Sequence, residues 1–157
     1  MSKLWQRLLM QQSAPPAPSG TAYRYYRMYA TAHNHFNYVG FSEIALRAVA
    51  GGPSLHTLST PVAASSAYTN WGPEKTLQTA GAWANGSEVT GRPPHWIKYD
   101  LLTPVALAEI GMLAAPNATY LPKDFELQGS NDDLSWTTLK SYTGYVPAAG
   151  WHIFSLI

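Results

Sequence analysis

The sequence predicts an all-β protein, an antiparallel sandwich of about eight strands, and three observations carry that expectation. Apolar residues recur with period two in short runs. Residues 122–136 (PKDFELQGSNDDLSW) show it best, with Phe125 and Leu127 on one side and Glu126 and Gln128 on the other. Clusters rich in Gly, Asn, Asp and Pro separate the runs. Here residues 129–133 (GSNDD) supply the turn and residues 135–139 (SWTTL) resume with strand-favouring types, so the stretch reads as a hairpin. After Gln12 no stretch has helical periodicity.

A chain of 157 residues supports one domain with a proper core. Its charged fraction is 12%, about half the usual ~25%, while six Trp and ten Tyr supply ample surface to bury. The net charge of +1 gives no footprint for nucleic acid or an acidic membrane. The absence of cysteine excludes a disulfide framework and thiolate metal sites, and fits assembly in a reducing cytosol. No apolar run approaches the ~20 residues of a membrane span, so no membrane insertion is expected.

Residues 1–12 (MSKLWQRLLMQQ) place Leu4, Trp5, Leu8 and Leu9 on one helical stripe, interrupted as a signal peptide by Gln6-Arg7. So short a helix is marginal alone, and its stripe must pack on its own domain or dock into a partner protein. Residues 13–20 (SAPPAPSG) form a semi-rigid spacer that favours docking. The division expected is therefore an anchor and linker at 1–20 and a β domain at 21–157.

Residues 22–30 (AYRYYRMYA) form the first strand, with Tyr26, Met28 and Ala30 on one face and Tyr25, Arg27 and Tyr29 on the other. Arg24 and Arg27 read as partners for carboxylates or rings. Residues 33–38 (HNHFNY) are a polar, aromatic loop, in which His33 and His35 lack a third metal ligand. In 42–49, Ile44 and Leu46 alternate inward until Gly51-Gly52-Pro53 ends the run. Residues 67–73 (AYTNWGP) form a second ring-bearing loop, and 85–94 another loop. Residues 95–101 put Ile97, Tyr99 and Leu101 inward and Lys98 and Asp100 outward. Thr103-Pro104 reads as a turn into 105–114, where Ala106, Ala108, Ile110 and Met112 share a face. Tyr120 is a ring in the next loop, and 150–157 (GWHIFSLI) is a last strand offering Trp151, Ile153 and Phe154 to the core.

These segments resemble discoidin-like domains (coagulation factor 5/8 type C, galactose-binding-like), over roughly Tyr23 to the C-terminus. The carriers are the opening YRYYR, the EIALR segment, residues 64–77 (ASSAYTNWGPEKTL), WIKYDL and the FELQGSNDDLSWT hairpin. The resemblance implies a jelly-roll sandwich with a loop near residues 68–73 projecting from one end and Trp83 at the core or rim. Many such domains bind calcium after that loop through an aspartate. Gln78 stands about where it would be, and no acidic cluster replaces it, so no metal or other cofactor is expected.

No enzyme is expected. No nucleophile elbow, phosphate loop or dinucleotide fingerprint appears, nothing pairs the nine carboxylates, and the hairpin turn accounts for Asp132 and Asp133. The opening strand resembles modules met in tailed-bacteriophage virion proteins. That resemblance implies a virion structural or adhesion protein of baseplate, collar, fibre or capsid, assembled in the bacterial cytoplasm. It would dock onto other virion proteins through Leu4, Trp5, Leu8 and Leu9, in multiple copies, and display the domain toward a host-surface glycan. A free-standing bacterial carbohydrate-binding module or lectin is the alternative. In either case the expected ligand residues are His35, Phe36, Tyr38, Tyr68, Asn70 and Trp71, with Tyr120 as an outlying ring, since these lack a core role.

Overall fold

The computed structural model describes residues 20–86, 93–114 and 116–157. The anchor residues Leu4, Trp5, Leu8 and Leu9, most of the spacer and the greater part of the 85–94 loop lie outside the described residues. The described chain is an antiparallel β-sandwich, as the alternation predicts. Its strands are β1 (Tyr23–Ala32), β2 (Gly40–Phe41), β3 (Ile44–Arg47), β4 (Val62–Ala64), β5 (Trp83–Ala84), β6 (His95–Val105), β7 (Glu109–Ala114), β8 (Asp124–Ser130), β9 (Thr137–Tyr142) and β10 (Gly150–Ser155). Two short 3-10 turns, Pro73–Leu77 and Ala118–Tyr120, interrupt the connections.

One sheet has the order β4-β6-β1-β8-β9, the opposing one β10-β7-β3, and β2-β5 forms a two-stranded ribbon. Tyr26, Met28 and Ala30 of β1 pair with Tyr99, Ile97 and His95 on one side and Gly129, Leu127 and Phe125 on the other. Their side chains meet Ile44, Leu46, Ile110, Met112 and Phe154 from the opposing sheet to form the core. The Asp124–Ser130 and Thr137–Tyr142 strands are the expected hairpin. Asp132 caps its turn: its Oδ1 accepts from the N–H groups of Leu134 and Ser135, which holds the carboxyl down at about 2.

Three expectations need correction. Thr103-Pro104 is not a turn: both residues lie within β6, and the chain reverses at 106–108. Between the pairs Tyr25↔Asp100 and Tyr23↔Val105 the longer strand bulges outward, with Leu102 at φ 66°. Pro104 fits there because a bulged residue owes no ladder hydrogen bond, and the Tyr26 hydroxyl fastens the far side by donating to the Val105 carbonyl at 2.5 Å. Leu101, at the start of the bulge, is consequently only partly buried. At the last strand only Phe154 enters the core, while Trp151 and Ile153 are 45% and 46% exposed. They belong to the other face of β10 and lie across Gly111, whose missing Cβ would sit 2.9 Å from Ile153 Cδ1 and 3.4 Å from Trp151 Cε3.

The register also gives the domain two distinct ends. Residue 20, the start of β1 and the end of β10 lie at one of them, where residue 20 comes within van der Waals reach of Ile157. The loops 33–38, 65–71, 116–121 and 143–149 lie at the other, because Ala30 pairs with His95, Ala32 with Asp124 and Gly150 with Ala114. Ten residues of β1 separate the ends by about 33 Å.

Candidate functional site

The loop end gathers rings. His35 folds back on its own loop, its Nδ1 accepting from the N–H groups of Asn37 and Tyr38 at 3.3 Å each. That turn sets its ring 4.5 Å from Phe36, 5.3 Å from Tyr38 and 4.9 Å edge-on from Tyr120. Asn34 ties the loop to its neighbours, donating to the carbonyls of Leu121 and Tyr145. Phe36 stands out into solvent, 81% exposed.

The second loop is a tight turn. The Trp71 N–H donates to the Tyr68 carbonyl at 2.8 Å, and Asn70 takes φ 66°, the left-handed position that a type II turn requires and that Asn accepts more readily than most residues. Tyr68 and Trp71 exchange bonds with Ala84, which fastens the turn to the β2-β5 ribbon. That ribbon approaches itself closely: a Cβ on Gly40 would fall 2.2 Å from the Trp83 carbonyl oxygen, so only glycine fits. Trp83 is a fully buried core ring whose Nε1–H donates to the Ser66 carbonyl.

Tyr38 lies 5.4 Å from Tyr68 and 5.7 Å from Tyr120, and Tyr120 lies 6.2 Å from Trp71. Tyr38, Tyr68, Trp71, Ala84 and Tyr120 enclose a recess of about 120 Å³. On the other side of Trp71 a shallower hollow of about 470 Å³ is bordered by Ser42, Asn70, Lys75 and Gly81. All six residues expected at a ligand surface therefore meet at one end, with Tyr120, the outlying ring, at their centre. Lys75 and Ser42 are polar borders that sequence reasoning missed, since nothing in their own segments distinguishes them from ordinary loop residues.

His33 and His35 part company. His33 turns inward and stacks on His95 at 5.1 Å, leaving its Nε2 without a hydrogen-bond partner among the described residues. His95 is 1% exposed, and its Nε2 meets Asn85 Nδ2 at 3.3 Å. Asn85 in turn accepts the Val39 N–H through Oδ1. Burial and then the His33 charge push His95 down to about 4, and His33 is lowered by burial and then by His35. This histidine pair, with His95 buried and His33 half-buried, packs the 33–38 loop against the start of β6.

Gln78 is exposed and closes the Pro73–Leu77 turn, its N–H donating to the Lys75 carbonyl. Among the described residues no three His, Asp or Glu side chains converge as metal ligands.

A rigid sandwich with rings clustered on loops at one end and wet recesses between them is the architecture of a binding domain. The chain belongs to the F5/8 type C domain family, whose profile matches residues 61–155. Domains of this family bind ligands and are generally non-enzymatic. The match begins at β4, so β1 to β3 complete the sandwich from outside it. No curated protein and no solved structure was found to match the chain.

Proposed function

We propose that this chain is a non-enzymatic virion adhesion protein of a tailed bacteriophage. In this reading it docks onto neighbouring virion proteins through residues 1–12 and presents the loop end, with His35, Phe36, Tyr38, Tyr68, Asn70, Trp71 and Tyr120, to a host-surface glycan. The observation that supports it is the separation of the two ends. The chain reaches the domain through residue 20 at the end opposite the rings, about 33 Å away along β1. A module tethered there turns its rings away from whatever holds the anchor. Rings with one face wet suit the apolar faces of sugars, and the hydroxyls and amides between them suit sugar hydroxyls.

Two variants test the reading. Deleting residues 1–20 should leave the melting temperature nearly unchanged and abolish incorporation into particles. The double substitution Trp71→Ala and Tyr120→Ala should leave incorporation intact and reduce attachment to host cells. Unimpaired attachment by a folded double variant would refute the loop surface as the adhesive one. Full incorporation without residues 1–20 would refute docking and leave a free-standing carbohydrate-binding module or lectin as the surviving reading.

A further inference from the structure

The outer face of the five-stranded sheet carries side chains that neither the core nor the loop end employs. The register sets Tyr29 beside Trp96, Arg27 beside Lys98 and Tyr25 beside Asp100. Arg24 clasps Asp100 through two bonds of 2.7 Å and lies 4.9 Å from the Tyr25 ring. Lys98 pairs with Asp133 and lies 5.5 Å from the Trp96 ring. Asp100, Asp133 and Lys98 are thus paired, Arg27 beside them bonds Gln128 and lies 4.0 Å from the Trp136 ring, and Tyr25, Tyr29 and Trp96 remain half-buried on a wet face.

Between these groups lies a recess of about 240 Å³, lined by Tyr25, Lys98, Asp100 and Asp133 with residues 61–63 along its edge. Its hairpin wall is held firmly by the Asp132 cap, and Asp133 beside it takes φ 61°. One oxygen of Asp133 receives the Lys98 ammonium. The other, Oδ1, is enclosed and has no hydrogen-bond partner among the described residues. That oxygen is closed to a ligand, but the Asp133 side chain is 32% exposed along the recess, so a donor there meets its outer edge.

We propose that this recess is a second binding site, for a neutral sugar residue. A hydroxyl-rich ring supplies donors to Asp133 and Asp100 and an acceptor to Lys98, while its C–H face lies against Tyr25. Neither a strongly charged nor a wholly apolar ligand gains from a lining whose charges are already paired. The volume corresponds to about eight waters, enough for one such ring. Tyr25 stands about 23 Å along β1 from the loop end, so the two sites are separate and can grip one glycan layer together.

The test uses the Trp71→Ala chain, which lacks a ring that borders both loop-end hollows. It is titrated with glucose, galactose and mannose and followed through its backbone amide resonances. At about 10 mM, where weak sites respond, at least one hexose should shift the amides of residues 62–63, 98–100 and 132–134. Adding Tyr25→Ala or Asp133→Asn should weaken that response about tenfold, a loss of ~1.4 kcal/mol, with melting temperatures retained. Asp133→Asn keeps the side-chain shape and carries the test if Tyr25→Ala fails to fold. Silence of these amides with all three hexoses, or an undiminished response in Asp133→Asn, overturns the proposal.

Discussion

Mild acid should destabilise this domain before its carboxylates titrate, and His95 sets the size of the effect. The ring is 1% exposed, stacked on His33 and, among the described residues, bonded only to Asn85, so a proton arriving there meets no counter-charge among them. Its folded value of about 4 lies below the ordinary 6.5, so the folded state takes up the proton less readily than the unfolded chain. The sign follows from linkage. Stability is full above pH 6.5, falls as the unfolded chain gains a proton that the folded chain lacks, and levels off below pH 4. By pH 5 the loss from this group alone is about 2 kcal/mol, and the full displacement amounts to about 3 kcal/mol. His33, also lowered by burial, adds loss in the same direction. The lowered carboxyls of Asp100 and Glu109, held by Arg24 and Arg47, lose their contribution only further down, as pH falls through the carboxylate range. Thermal melting from pH 7.5 to 4.5 should show a drop of roughly 5–10 °C between pH 7 and 5. His95→Gln, which keeps a side-chain amide near Asn85, should be less stable at pH 7 and have a flatter acid slope. A wild-type melting temperature constant over this range, or an equal slope in His95→Gln, would refute the reasoning.

Two further outcomes follow from close contacts and from absent charge. Gly40→Ala drives a methyl group to 2.2 Å from the Trp83 carbonyl and should cost about 1–3 kcal/mol, read as a lower denaturation midpoint with unchanged slope. Gln78 offers no carboxylate where related domains carry a calcium ligand, so millimolar calcium and a chelator should give the same melting temperature. A bound ion would raise it by mass action, and a rise of several degrees would show that carbonyls alone suffice.

Much of this fold is legible because an antiparallel sandwich writes its core with period two. Tyr26, Met28 and Ala30 alternate with Tyr25, Arg27 and Tyr29, and the burial follows that alternation without exception. The failures have one cause: each depends on a residue distant in sequence. Pro104 reads as a turn signal, but the Tyr26 hydroxyl, 79 residues upstream of Val105, keeps the chain in the sheet through the bulge. Trp151 and Ile153 read as core because they are large and apolar, whereas their position across Gly111 is a matter of pairing, which the local sequence does not state.

The candidate site divides the same way. Rings at 33–38 and 68–71 stand out locally, because no strand claims them for the core. Tyr120 does not stand out, being a single tyrosine in a short turn capped by Asn117. Its place among His35, Tyr38 and Trp71 follows from topology: β8 is antiparallel to β1, so the turn preceding Asp124 arrives where the loop following Ala32 departs. The same register brings the β4–β5 connection to that end, since β4 runs from Tyr99 toward Ile97 along β6. It also places residue 20 and Ile157 at the other end. An arrangement that sets the entry of the chain at residue 20 and its rings at opposite ends is a property of strand order rather than of any motif. For this chain, strand order therefore bears more directly on the proposed display than the rings do on their own.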